Sequence, residues 1–218
     1  MRERLFKASG IIAAATLLSK VLGFIRDMTL ARYFGASAET DAYLVAMIVP
    51  AVFFGAVGAG LTTVLIPVYN EYLNTKGKRE AQRLANTVLN VSLIVLGLVL
   101  MLGLLFAPQV TRILARGFDV QRFRLTVYLS RLMLPIIVFM GLANWATAIL
   151  QARQHFAAPA LIGLPYNVIL IMGYILAGLY WGITGAAIAT VLAVFSQFAI
   201  QVPALRREGF RYQMVIDW

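Results

Sequence analysis

The chain has no cysteine and one histidine, His155. Disulfides and thiol chemistry are excluded, and a transition-metal site built from the usual Cys and His ligands is not expected. Acidic residues are scarce: nine Asp and Glu stand against 19 Lys and Arg, a formal net charge of +10. There is no nucleophile–base pair, no P-loop and no pair of catalytic carboxylates. ATP hydrolysis and enzymatic catalysis are therefore not expected, and no cofactor is implied. Strand-like alternation is also missing, which argues against a β-barrel. No small-residue cleavage site follows Met1-Arg2-Glu3-Arg4-Leu5-Phe6-Lys7, so the first helix is expected to stay in place rather than to be removed as a leader.

What is abundant is apolar surface. Hydrophobic residues make up 61% of the 218, and the mean hydropathy is +0.82, far above ordinary soluble usage. The fold class is all-α, a polytopic membrane protein. Six spans are expected: Ala8–Phe34, Asp41–Tyr69, Leu84–Phe106, Phe123–Gln151, Ala157–Tyr180 and Gly182–Ala204. The short loop Gly35 to Thr40 predicts that the first two spans pack as antiparallel neighbours. Tyr180-Trp181-Gly182 predicts a tight turn between the last two, with Trp181 as an interfacial anchor. Pro50, Pro67, Pro135, Pro159 and Pro165 predict bent or broken helices. The run Gly55 to Gly60 reads as a small-residue packing surface.

The basic residues mostly flank apolar runs, which is the pattern of membrane orientation rather than of nucleic-acid binding. Arg2, Arg4, Lys7, Lys76, Lys78, Arg79, Arg83, Arg153, Arg206, Arg207 and Arg211 fall on one side, and Arg32, Arg112, Arg116, Arg122 and Arg124 on the other. The bias predicts a cytoplasmic N-terminus. Val110–Arg124 reads as an amphipathic interfacial segment whose arginines meet headgroup phosphates.

The stretch Ser19-Lys20-Val21-Leu22-Gly23-Phe24-Ile25-Arg26-Asp27 puts two cations and a carboxylate inside the first span. A charged side chain at the bilayer centre costs about 2.5–3.5 kcal/mol even on the lenient insertion scale. Three in eight residues must face protein or a watery cavity. At 100° per residue, Thr16, Ser19, Lys20, Gly23, Arg26 and Asp27 share one broad polar face with a net charge of +1. Gly23 leaves room for a close approach. The face suits an anionic ligand, with Arg holding a phosphate bidentately and Lys acting as a point charge. The alternative is a buried ion-pair network that only fixes packing, with Asp27 paired to Arg131.

Asp41 opens the second span, where helix capping is the expected role and a place in the pathway the alternative. Arg131 either snorkels or faces the cavity. Asn144, Asn167, Gln197 and Gln201 are expected to hydrogen-bond between helices, and His155 to lie in a surface turn.

These residues resemble the opening of the MurJ/MviN lipid II flippases, within the superfamily of multidrug and oligosaccharidyl-lipid/polysaccharide exporters. The similarity lies in Ser19 to Asp27, Phe34-Gly35-Ala36, Thr40-Asp41-Ala42-Tyr43 and Leu65-Ile66-Pro67-Val68-Tyr69-Asn70-Glu71-Tyr72. It resumes at Leu134-Pro135-Ile136, Phe156-Ala157-Ala158-Pro159-Ala160 and Asn167. The resemblance implies one lobe of a two-lobed flippase around a cationic cavity. It would move a peptidoglycan precursor linked to undecaprenyl pyrophosphate across the bacterial inner membrane by alternating access. Substrate contact would fall to Ser19, Lys20, Gly23, Arg26, Asp27, Asp41 and Arg131. Arg26 and Asp27 match the family's essential pair, and Lys20 stands where many members have Arg. One departure is Val52-Phe53-Phe54-Gly55, uncharged where some members carry an Arg. Residues 1–205 would form the six-helix lobe and 206–218 the start of a cytoplasmic linker. The partner is then a second lobe absent from this chain, or a second copy of a half-size protein, with cell-wall synthesis proteins and membrane lipids as further partners. The alternative function is cation-coupled export of drugs or polysaccharides.

Overall fold

The computed structural model describes residues 2–55 and 60–215, with side chains from Gly10 onward except at 11, 12 and 60–62. The described residues are mostly helical. In order come α1 (Arg2–Phe34), α2 (Ala38–Gly55), α3 (Gly60–Thr75), α4 (Lys78–Leu114), α5 (Val120–Met133) and α6 (Ile136–Ala152). The short α7 (Ala157–Ala160), α8 (Gly163–Leu176), α9 (Gly182–Ala199) and α10 (Val202–Arg207) follow. No strand occurs among the described residues.

Four helical stretches among them are long and apolar enough to cross a membrane: Ala38–Gly55, Lys78–Leu114, Val120–Ala152 and Ala157–Arg207. The last holds the fifth and sixth expected spans. They part where α8 widens into a π-helical turn, Ala177–Trp181, and Gly182 takes φ 58°, a conformation that favours glycine. The second expected span holds α2 and α3, and the run Gly55 to Gly60 read as a packing surface lies largely outside the described residues.

Local chemistry explains the breaks. Ser37 caps α2, its Oγ accepting from the Thr40 backbone N–H at 3.2 Å. Asp119 caps α5, accepting from the backbone N–H groups of Gln121 and Arg122 at 2.9 Å each. The expected interfacial segment 110–124 is therefore not a separate helix. It is the end of α4, a turn and the start of α5. Pro135 divides α5 from α6, since it has no N–H to continue the ladder.

α6 runs through the middle of the lobe, with Ile137, Trp145, Ala146, Ile149 and Leu150 fully buried. One core lies between α2, α5, α8 and α9 around Tyr43, Leu129, Met133, Leu170 and Ala186. A second joins α3, α4, α6 and α10 around Tyr69, Ala81, Trp145 and Leu205. α1 packs chiefly on α8, with a smaller contact to α7, and α2 packs on α5. Among the described residues the first two helices are thus not main packing partners despite their short loop. The small face of α2, Ala42 and Ala46, is fully buried in a cluster with Leu129 and Met133 of α5, against which Leu30 and Phe34 at the end of α1 also pack.

Candidate functional site

Along α1, Ala15 is buried, and Ser19, Leu22, Gly23, Arg26, Thr29, Leu30 and Tyr33 are half-buried. That spacing marks one helical stripe, and it lies on α8. Lys20 and Asp27, seven apart, sit at the edge of the stripe and are exposed. Leu17, Val21, Phe24 and Met28 form an exposed apolar face beyond them. The polar face read from the sequence is therefore split: Ser19, Gly23 and Arg26 turn toward α8, while Lys20 and Asp27 stay open.

The stripe is held by Asn167 of α8, which is 4% exposed. Its Nδ2 donates to the carbonyl oxygens of Gly163 and Ser19 at 2.8 and 3.1 Å, and toward Ser19 Oγ at 3.3 Å. Its Oδ1 accepts from Arg26 Nη1 at 3.2 Å. α8 comes this close because residue 163 is glycine: a Cβ there would collide with Ser19 Oγ. A Cβ on Gly23 would touch Asn167 Oδ1 at 3.8 Å, an ordinary contact.

Arg26 is secured on its other edge. Its Nε donates to Asp27 Oδ1 at 2.9 Å, and Nη2 lies 2.8 Å from the same oxygen. The guanidinium carbon stands 5.8 Å from the centre of the Tyr166 ring. Tyr166 also lines a cavity of about 190 Å³ with Met47, Met133 and Thr190. A guanidinium has five N–H donors. Asn167 and Asp27 draw on this set and Tyr166 lies against it, while the side chain remains 24% exposed. Lys20 has no carboxylate partner among the described residues.

The structure does not bring Asp41 and Arg131 to this cluster. Asp41 pairs with Arg122 of α5 at 3.3 Å, tying the first turns of α2 and α5 together, while the cap of α2 falls to Ser37. Arg122 also lies 3.8 Å from Asp119. The backbone N–H of Arg122, above all, holds the Asp119 carboxyl below its usual range. Arg131 is exposed and donates through Nε to the Leu104 carbonyl of α4 at 3.3 Å. A pairing of Asp27 with Arg131 does not form; the ionic partner of Asp27 is Arg26. Tyr166 was not singled out by sequence reading, and Asn167 only as a bond between helices. Neither carries a signal in the sequence that points to Arg26, 141 residues from Asn167.

The helices, their lengths and the charged stripe define a multi-pass membrane protein with a cation-bearing first helix. The family model described as lipid II flippase MurJ matches residues 30–218, and the chain belongs to that family, a family of transporters. A lipid II flippase of Burkholderia cenocepacia is 31% identical over 93% of this chain and 40% of its own length. One from Thermosipho africanus is 31% identical over 87% and 40%. A solved structure of a lipid II flippase in an inward closed conformation superposes with a TM-score of 0.79 at 25% identity, over 94% of this chain and 43% of the other. The chain spans about two fifths of the length of the curated relatives it matches.

Proposed function

We propose that this chain is the first lobe of a flippase that carries lipid-linked peptidoglycan precursor across the bacterial inner membrane by alternating access. The observation that carries the reading is the part-exposed Arg26 guanidinium held in place on α1, together with Lys20, a cation without a carboxylate partner among the described residues. A pyrophosphate offers anionic oxygens to both. The polyprenyl chain stays in lipid, against the apolar face of α1. Asp27 keeps Arg26 oriented and tempers its charge, so that the substrate can leave again. Ser19 and Gly23 line the approach, and Asp41 and Arg131 act outside this first contact. In this reading the chain catalyses no covalent step. Residues 1–205 form the lobe and residues 206–218 lead to the second one, with the N-terminus in the cytoplasm.

Export of cationic drugs, the rival reading, calls for a carboxylate free to attract cations, and Asp27 is already bonded to Arg26. Reconstitution of the full-length, two-lobed protein into liposomes separates the two. Lipid II added to one leaflet is expected to reach the other, and a permeant cationic dye is expected not to be moved. Transport of the dye without movement of lipid II would overturn the proposal.

A further inference from the structure

We propose that Asn167 is the positioning residue of the α1 site: its amide sets where the Arg26 guanidinium lies and which of its N–H groups face an incoming anionic headgroup. The inference rests on the reading of Arg26 as a phosphate ligand. The orientation of the amide is determined by its neighbours. The carbonyl oxygens of Gly163 and Ser19 can only accept, so the NH2 must face them, and Oδ1 is left for Arg26. Buried and saturated by these bonds, the amide cannot turn without leaving donors unpaired.

Arg26 is then fixed at two edges, by Asn167 on Nη1 and by Asp27 on Nε and Nη2, and its side chain remains 24% exposed. A residue that only fastened α1 to α8 would need no bond to a half-exposed cation; the Ser19 and Gly163 carbonyls would suffice. The choice of an amide over a carboxylate matters as well. An amide oxygen orients the guanidinium without neutralising it, whereas a second carboxylate would cancel the remaining positive charge and compete with the ligand. The site is thus oriented by two acceptors of which one is charged, and it keeps a surplus cation.

The test is lipid II affinity of the full-length protein in parent, Asn167→Ala, Asn167→Asp, Arg26→Ala and Arg26→Ala/Asn167→Ala forms. Asn167→Ala is expected to weaken binding about five-fold or more, in line with the loss of a hydrogen bond to a charged group. Asn167→Asp, which keeps the shape of the side chain, is expected to weaken it further. In the Arg26→Ala background, Asn167→Ala is expected to change affinity by less than about two-fold, because the group it orients is gone. A merely structural Asn167 would lower affinity equally in both backgrounds, and that result overturns the proposal. So does parental binding by Asn167→Ala while Arg26→Ala is weak. Parental binding by Arg26→Ala instead overturns the reading of the substrate, and this inference with it. Should Asn167→Ala fail to fold, Asn167→Asp decides: undiminished affinity in that variant overturns the proposal.

Discussion

Arg26 and Asp27 are adjacent in sequence, and their bond makes the residue scale unusually informative. The carboxylate lies on the exposed edge of α1 and accepts from the guanidinium Nε, with Nη2 in ion-pair contact with the same oxygen. Asp27→Asn keeps the shape but leaves Arg26 and Lys20 uncompensated. Binding of lipid II is expected to hold or tighten, while flipping slows because release is impaired. Affinity and flipping rate measured on the same full-length variant check this, and loss of both together would count against it. Asp41 and Arg131 show where sequence reading stopped short. A charge at the head of a helix has a cap as its default explanation, yet Ser37 takes the cap and Asp41 crosses to Arg122, 81 residues away. No local spacing announces such a pair. Asp119 offers a pH effect of known sign. Its native carboxyl titrates below its usual range. The anchor at the head of α5 is therefore fully formed above that range and lost as pH falls through the lowered value. Melting of the parent against Asp119→Asn is expected to differ at neutral pH and to converge in acid.

At the scale of the element, α1 was the most legible part of the chain. The seven-residue step from Lys20 to Asp27 and from Ser19 to Arg26 placed all four on one side of a helix, and the structure divides them into two stripes, Ser19 and Arg26 toward α8 and Lys20 and Asp27 open. Which side packs was not legible, because the partner is α8, well over a hundred residues on, and nothing in α1 names it. The loop from Gly35 to Thr40 suggested α2 instead. Loop length limits how far two helices can part, but complementary faces decide whether they touch, and the small face of α2 is taken up with α5. The Cys-free background allows the stripe to be mapped. Single cysteines at Lys20 and Asp27 are expected to react with a water-soluble reagent, and those at Val21 and Phe24 to be protected in the membrane. Equal protection at all four positions would restore the packing explanation of the charges.

The whole molecule has two chemically different ends. The C-terminal ends of α3 and α6 meet the start of α4 and the segment after α10. Here Arg153 donates through Nε to the Tyr69 hydroxyl at 2.8 Å and through Nη1 to the Glu208 carbonyl. Asn86 and Asn90 of α4 bond the backbone of residues 211–215. Lys76, Lys78, Arg79, Arg83, Arg206, Arg207 and Arg211 lie in these segments. The opposite end joins the heads of α2 and α5, and its Arg122 is offset by Asp41 and Asp119. The charge bias read from the sequence sets an expectation for orientation. It predicts that Thr75→Cys is labelled only from the cytoplasm, which an impermeant reagent on intact cells checks. Six spans were legible as hydropathy. The break at Pro135 was foreshadowed by the proline, but the grouping of helices into cores was not, since it depends on distant apolar faces that all look alike in a sequence so rich in them.

Affinity for lipid II of the full-length protein bearing Arg26→Ala, set beside Lys20→Ala, bears most directly on the proposed mechanism. A charge-assisted contact contributes roughly 1.5–3 kcal/mol, so loss of Arg26 is expected to weaken binding by about ten-fold or more. Loss of Lys20 should cost less, because a point charge on a flexible stem holds a pyrophosphate less firmly than a fixed planar fork. Binding by Arg26→Ala equal to that of the parent would contradict an anionic headgroup held on α1.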